Sequence, residues 1–241
     1  MLPEIIVSSS QNLAELLAAR LETDGRDAIE ARGRFSLALS GGSMAEAFFP
    51  RLARANLDWQ RVDFFWCDER AVPADDPESN YGLARTLWLD PAHVPRPNVH
   101  TMVPDAAHLE ESAAAYAGEL VRVLGTPPRI DVALLGVGPD GHVCSLFPHH
   151  PLLREERRWV GALQDSPKPP LSRLTLTLPA LAAATLIVVA AFGEAKAPVV
   201  RAALEDGNSS LPLALVLARA RRALVLLDRS AATEISQLAL R

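Results

Sequence analysis

Short, almost continuously apolar runs alternate along the chain with longer stretches in which apolar side chains recur every three to four residues. The runs at 4–7, 35–39 (Phe-Ser-Leu-Ala-Leu), 62–67 (Val-Asp-Phe-Phe-Trp-Cys), 130–135, 185–191 and 223–227 predict strands, and a shorter one is predicted at 158–161. Between them, Leu13, Leu16, Leu17 and Leu21 give one apolar face to a helix over 12–31. Phe48, Phe49 and Leu52 do the same over 43–55, and further helices are predicted at 79–89 and 194–204. The clearest helical period belongs to 106–124, where Leu109, Ala113, Tyr116, Leu120 and Leu124 form one stripe before Pro127 and Pro128 stop it. Pro-rich stretches at 91–104 and 166–170 read as loop.

Strands without a polar face must be covered on both sides. Alternating with helices, they predict an α/β fold: a mainly parallel, Rossmann-like sheet with helices on both faces. No repeat, low-complexity segment or linker interrupts the pattern, so a single domain over 1–241 is expected.

Composition narrows the choice. The chain has 241 residues, 49% hydrophobic and 22% charged, which suits a folded domain and excludes disorder as its main state. Lys and Arg number 24 against 29 Asp and Glu, a net charge of -5. No global basic field exists to hold nucleic acid or an anionic membrane, so an anionic substrate needs a local basic pocket. Cys67 and Cys144 cannot build a disulfide framework or a cysteine zinc site, and they suit a reducing cytosol. The first ten residues carry acidic Glu4 and no basic lead-in, unlike a secretory signal. The longest apolar run, 181–192, falls short of the roughly 20 residues that span a bilayer and reads as a buried strand. A cytoplasmic protein is expected.

In parallel α/β sheets ligands bind beyond the carboxyl ends of the strands, so the chemistry is sought there. Ser40-Gly41-Gly42-Ser43 follows the strand at 35–39 and opens a helix. Backbone N–H groups and the helix start would cradle a phosphate; a plain glycine turn with Ser43 as N-cap is the alternative. Asp68-Glu69-Arg70 follows the strand at 62–67. It reads either as a solvated loop or as a site where Arg70 meets a polarised oxygen, oriented by Asp68 or Glu69. The most informative segment is Gly136-Val137-Gly138-Pro139-Asp140-Gly141-His142-Val143-Cys144-Ser145-Leu146-Phe147-Pro148. Its glycines let backbone approach a ligand, and Asp140 is placed to orient the imidazole of His142 for proton transfer. His149 and His150, side by side on a Pro-bounded loop, do not make a metal cluster. Arg173 and Lys196 stand at element boundaries, where each reads as a surface charge or as an anion ligand.

Taken together, these segments, with Arg-Leu-Thr-Leu-Thr-Leu-Pro from Arg173 and Gly-Glu-Ala-Lys ending at Lys196, resemble the 6-phosphogluconolactonases in kind and order. That group shares its fold with glucosamine-6-phosphate deaminases. The resemblance covers 35–227 and implies hydrolysis of a sugar-phosphate lactone, 6-phosphogluconolactone, in the pentose phosphate pathway, with no metal or organic cofactor. It implies His142 as catalytic base with Asp140 behind it, and Arg70 facing substrate. Ser40, Gly41, Gly42, Ser43, Arg173 and Lys196 would hold the phosphate, and Asp68 joins the substrate-facing set. A monomer or weak homodimer is expected.

The nearest rival, a deaminase, would carry Asn-Glu-Pro where this chain has Ser145-Leu146-Phe147-Pro148. A second rival, a non-catalytic sugar-phosphate sensor, would keep Ser40 to Ser43 and Lys196 without needing His142, and would carry a DNA-binding helix pair. Ser145 reads as structural rather than nucleophilic. Two positions depart from the resemblance: Cys144, where a small or hydroxyl residue is expected and oxidation becomes conceivable, and Pro198, which makes the direction of Lys196 depend on where its helix begins.

Overall fold

The computed structural model describes residues 2–236; Met1 and 237–241, the ends of the expected 1–241 domain, lie outside the described residues. Six of the seven predicted strands form one six-stranded, wholly parallel sheet. Its members are β1 (Glu4–Val7), β2 (Phe35–Leu39), β3 (Val62–Trp66), β5 (Val132–Gly136), β8 (Leu186–Ala191) and β9 (Ala223–Leu227), in the order β1-β9-β8-β5-β2-β3. Every residue of β2, β3 and β8 is buried, as expected of strands covered on both faces.

The helices are α1 (Ser10–Arg32), α2 (Ser43–Leu52), α3 (Asn80–Ala84), α4 (Leu109–Leu124), α5 (Leu178–Ala183), α6 (Ala197–Glu205) and α7 (Pro212–Arg219). The predicted stripe of α4 is largely the buried one: Leu109, Ala113, Tyr116 and Leu120 face the core. In α1 it is Leu13, Leu17 and Leu21, while Leu16 is half-buried. Thr177 caps α5, so the long apolar run at 181–192 is the end of a short helix followed by a strand, rather than one strand. The helix expected at 79–89 is α3 followed by a π turn over Arg85–Leu89.

A second sheet, antiparallel in the order β4-β7-β6, is not anticipated as a sheet; it joins β4 (Asp68–Arg70), β6 (Val160–Leu163), which overlaps the strand predicted at 158–161, and β7 (Arg173–Leu176). The Asp-Glu-Arg segment is therefore a strand, not a loop. Cys67 is the joint between the sheets: its N–H donates to Leu39 O and its carbonyl accepts from Leu176 N, both at 2.7 Å. Tyr116 closes the same corner, accepting from Trp66 N at 2.7 Å.

The loops after β2 and β5 leave neighbouring strands and diverge, the first toward β3 and the second toward β8. Their carboxyl ends make the crevice where ligands of such sheets bind. Ser40 N–H donates to Leu134 O at 3.1 Å, holding the two loops together at their roots.

Candidate active site

A cavity of about 210 Å³ lies in this crevice. All the predicted site residues line it except Asp140, which stands behind His142. The Ser40–Ser43 loop and His142 therefore line one cavity.

The first wall is the 40–43 loop. Gly42, at φ 74°, takes a conformation that other residues seldom adopt, and it is the residue that caps α2. Ser43 is thus the first residue of the helix and not its cap. No side chain caps α2, which leaves the N–H groups of its first turn for an anion. The hydroxyl of Ser40 is buried without a partner.

The second wall comes from β4. Asp68 is buried and accepts from Ser145 Oγ at 2.7 Å and from Asn80 Nδ2 at 3.2 Å. Neither Asp68 nor Glu69 orients the guanidinium of Arg70, contrary to the expectation from sequence. Glu69 is buried and accepts the backbone N–H groups of Arg70, Asn80 and Tyr81, so it fixes the course of the 70–81 loop. Burial pushes its carboxyl up against the lowering pull of those N–H groups. Arg70 is held instead by the carbonyl and carboxylate of Glu78, which leaves its Nε buried and unpartnered. Buried donors without partners are scarce in folded proteins. Two of those among the described residues, Ser40 Oγ and Arg70 Nε, belong to residues lining this cavity.

The third wall is the turn after β5. Gly138 N–H donates to His142 O and Gly141 N–H to Gly138 O, both at 2.9 Å, folding the segment back on itself. A Cβ on Gly138 would come within 2.0 Å of the His142 ring, so glycine is what lets the imidazole lie against this backbone. His142 Nδ1 meets Asp140 Oδ1 at 2.5 Å, and its ring packs on Phe147. Burial holds the imidazole below its ordinary pKa despite the opposing carboxylate, and the charge of Lys168 adds to the lowering. For Asp140 burial acts upward, but the hydrogen bond and charge of His142 carry the carboxyl below its usual range. At neutral pH the pair is then carboxylate and neutral imidazole, with Nδ1–H donated to Asp140 and Nε2 without a partner among the described residues.

The family model described as glucosamine-6-phosphate isomerases/6-phosphogluconolactonase matches residues 8–226. The chain belongs to this family. Similar members include 6-phosphogluconolactonase of Rattus norvegicus, 43% identical over 96% of this chain and 93% of that protein. That of Streptomyces coelicolor is 42% identical over 97% and 95% respectively. Among solved structures, 6-phosphogluconolactonase from Trypanosoma brucei superposes with a TM-score of 0.86 at 27% identity, covering 97% of this chain and 99% of that one. A monomeric glucosamine-6-phosphate deaminase superposes with a TM-score of 0.80 at 25% identity, covering 96% and 99%.

Several family positions take an unexpected environment here. Arg173 is buried and donates to the carbonyls of Lys168, Pro169 and Pro170, so much of its donor capacity serves the protein itself. Lys196 ends a 3-10 turn and precedes α6, which puts Pro198 in the first turn, where it is tolerated. Burial and the charge of Lys168 lower the Lys196 ammonium. Ser145 is fully buried and donates to Asp68. Cys144 lines the cavity, but burial pushes its thiol far up, so it stays protonated. Asn80, which sequence reasoning did not single out, lines the cavity and donates to the carbonyl of Asp68 at 2.8 Å. No group of three or more His, Cys, Asp or Glu gathers in metal-binding geometry among the described residues, and no described helix is long and apolar enough to cross a membrane.

Proposed function

We propose that this protein is a cytoplasmic 6-phosphogluconolactonase that opens 6-phospho-D-glucono-1,5-lactone to 6-phospho-D-gluconate. The observation that carries the proposal is the open Nε2 of an Asp140-backed neutral imidazole in the same cavity as the uncapped start of α2. The names of relatives that align end to end at above 40% identity support it.

The phosphate sits on the N–H groups of Gly41 to Ser43, with Lys196 as counter-charge and Arg173 at the edge. Anchoring that end brings C1 to His142 and converts the attack into an intramolecular one. His142 Nε2 takes a proton from water as its oxygen adds to C1. Arg70, whose Nε lacks a partner, stabilises the oxyanion that forms on the former carbonyl oxygen. The tetrahedral species collapses by breaking the bond from C1 to the ring oxygen, which receives the proton from the imidazolium and becomes a hydroxyl. The new carboxyl then loses its proton to solvent. Water is the only co-reactant in this scheme, and no covalent enzyme intermediate is formed.

The structural likeness to a deaminase keeps one second reading in view, but Ser145-Leu146-Phe147-Pro148 supplies no further carboxylate next to His142. Purified protein is therefore expected to open the lactone far faster than buffer, with spontaneous hydrolysis subtracted, and to release no ammonia from glucosamine 6-phosphate. Ammonia release without accelerated lactone opening would reverse the assignment.

A further inference from the structure

We propose that Lys168 is a positioning residue of this site: fixed by a strap that Arg173 clamps, its ammonium shares the Asp140 carboxylate with His142 and holds the imidazole in the tautomer whose Nε2 is the resting base. The proposal rests on the lactonase reading for its role in turnover, while the arrangement of charges can be tested without turnover.

The strap is the 166–170 segment between β6 and β7, which composition marks only as a Pro-rich loop. Five hydrogen bonds hold it. Ser166 N–H donates to Leu171 O at 3.2 Å, and Ser166 Oγ donates to Lys168 O at 2.8 Å. Arg173 Nε donates to Pro170 O at 2.9 Å. Arg173 Nη2 donates to Lys168 O at 3.0 Å and to Pro169 O at 3.1 Å. The same guanidinium lies over Phe147, the ring on which His142 packs. The backbone of Lys168 is thus tied to the residue that supports the imidazole.

From that position Lys168 Nζ reaches 3.3 Å from Asp140 Oδ1 and 3.4 Å from His142 Nδ1. Nδ1 already gives its proton to the same Asp140 oxygen, so it cannot accept from the ammonium. The two nitrogens are donors converging on one acceptor. This favours the tautomer with Nδ1–H and leaves Nε2 as the lone-pair nitrogen. A proton added at Nε2 would place a second cation within 3.4 Å of the first. Asp140 and, farther off, Asp68 oppose the effect. Arg70, Arg173 and Lys196 share the cavity wall, but Lys168 is the cation in contact with the pair. Lys168 is not among the residues lining the cavity, which fits action through Asp140 and His142 rather than on the substrate.

The side chain of Lys168 is 42% exposed, so replacing it leaves the core intact. The test follows the His142 ring signal by NMR across pH in resting native protein, Lys168→Met and Lys168→Arg, with the signal assigned by its loss in His142→Asn. The pH profile of kcat/KM for lactone opening is recorded alongside. Lys168→Met is expected to raise the His142 midpoint by about one pH unit and to carry the acid limb of kcat/KM with it, while Lys168→Arg restores both. An unmoved midpoint in Lys168→Met, or a rise in KM alone with the limb fixed, overturns the proposal. Because the ring titration needs no substrate, a moved midpoint in a protein that does not open lactone would count against the lactonase reading alone.

Discussion

Both rims of the parallel sheet gather charged side chains, and they use them in opposite ways. At the amino ends of the strands, Asp63 holds both Arg34 and His100, and Glu119 holds His100 and Arg122 at 2.7 Å each. Asp131 accepts from Ser36 N–H at 2.9 Å and from Arg32 at 2.6 Å. These acids and bases satisfy one another. At the carboxyl ends, Arg70 and Arg173 are gripped largely by backbone carbonyls, the Ser40 hydroxyl has no partner, and His142 is paired on one nitrogen only. The amino-end cleft is also the larger, about 980 Å³ against about 210 Å³. Cavity size therefore does not mark the site. What marks it is bonding capacity left over after the protein has met its own needs.

That contrast can be broken from either rim. The largest effect is expected from His142→Ala, which should lower kcat for lactone opening by about 10² to 10⁴-fold with little change in KM or Tm, read by lactone disappearance. A fall in Tm with kcat intact would place His142 with the self-satisfied rim. Gly138→Ala comes next. Its Cβ, 2.0 Å from the imidazole, must push the ring off Asp140, and a loss of roughly 10²-fold in kcat is expected, again at nearly native stability.

Asp63→Ala tests the opposite rim. It strands a buried histidine and an arginine, and about 3 kcal/mol of stability should be lost by urea titration, while the activity of the folded fraction stays native. The smallest effect concerns His100, whose two ring nitrogens face Asp63 and Glu119. Burial acts to lower it, but the two carboxylates prevail and raise it, and Glu119 is held at about 2, chiefly by Arg122. A raised histidine stabilises fully below its unfolded pKa, and that contribution disappears as pH rises through the folded one. The Tm difference between native protein and His100→Gln, a few degrees at most, should therefore be larger at pH 6 than at pH 9. A difference that grew with pH would refute the protonated assignment.

The main sheet was legible in the sequence because its signals are local. Phe35–Leu39 and Val62–Trp66 are short apolar runs, and the turn after the first announces itself through Gly41 and Gly42. His142 was legible for the same reason, since Asp140 lies two residues away. The small sheet was legible only in the short strand at 158–161. Asp68–Arg70 is a strand whose charged residues are compensated by Ser145, Asn80 and Tyr81, and whose partner strand is about a hundred residues distant. No window around Asp68 contains that information. Lys168 and Asn80 were missed alike, because nothing local distinguishes them from any loop lysine or helix-start asparagine. Arg173 was singled out as a charge for a ligand, whereas its nearest acceptors are carbonyls three to five residues upstream.

The hydrogen bond from Ser145 to Asp68 has a pharmacological corollary. A hydroxyl that is 0% exposed and committed at 2.7 Å to an internal carboxylate offers no handle to fluorophosphonates or β-lactones, the warheads that trap serine hydrolases by acylation or phosphonylation. On the proposed mechanism, the inhibitors to try are reversible analogues that imitate the tetrahedral carbon and the phosphate together, spanning the crevice.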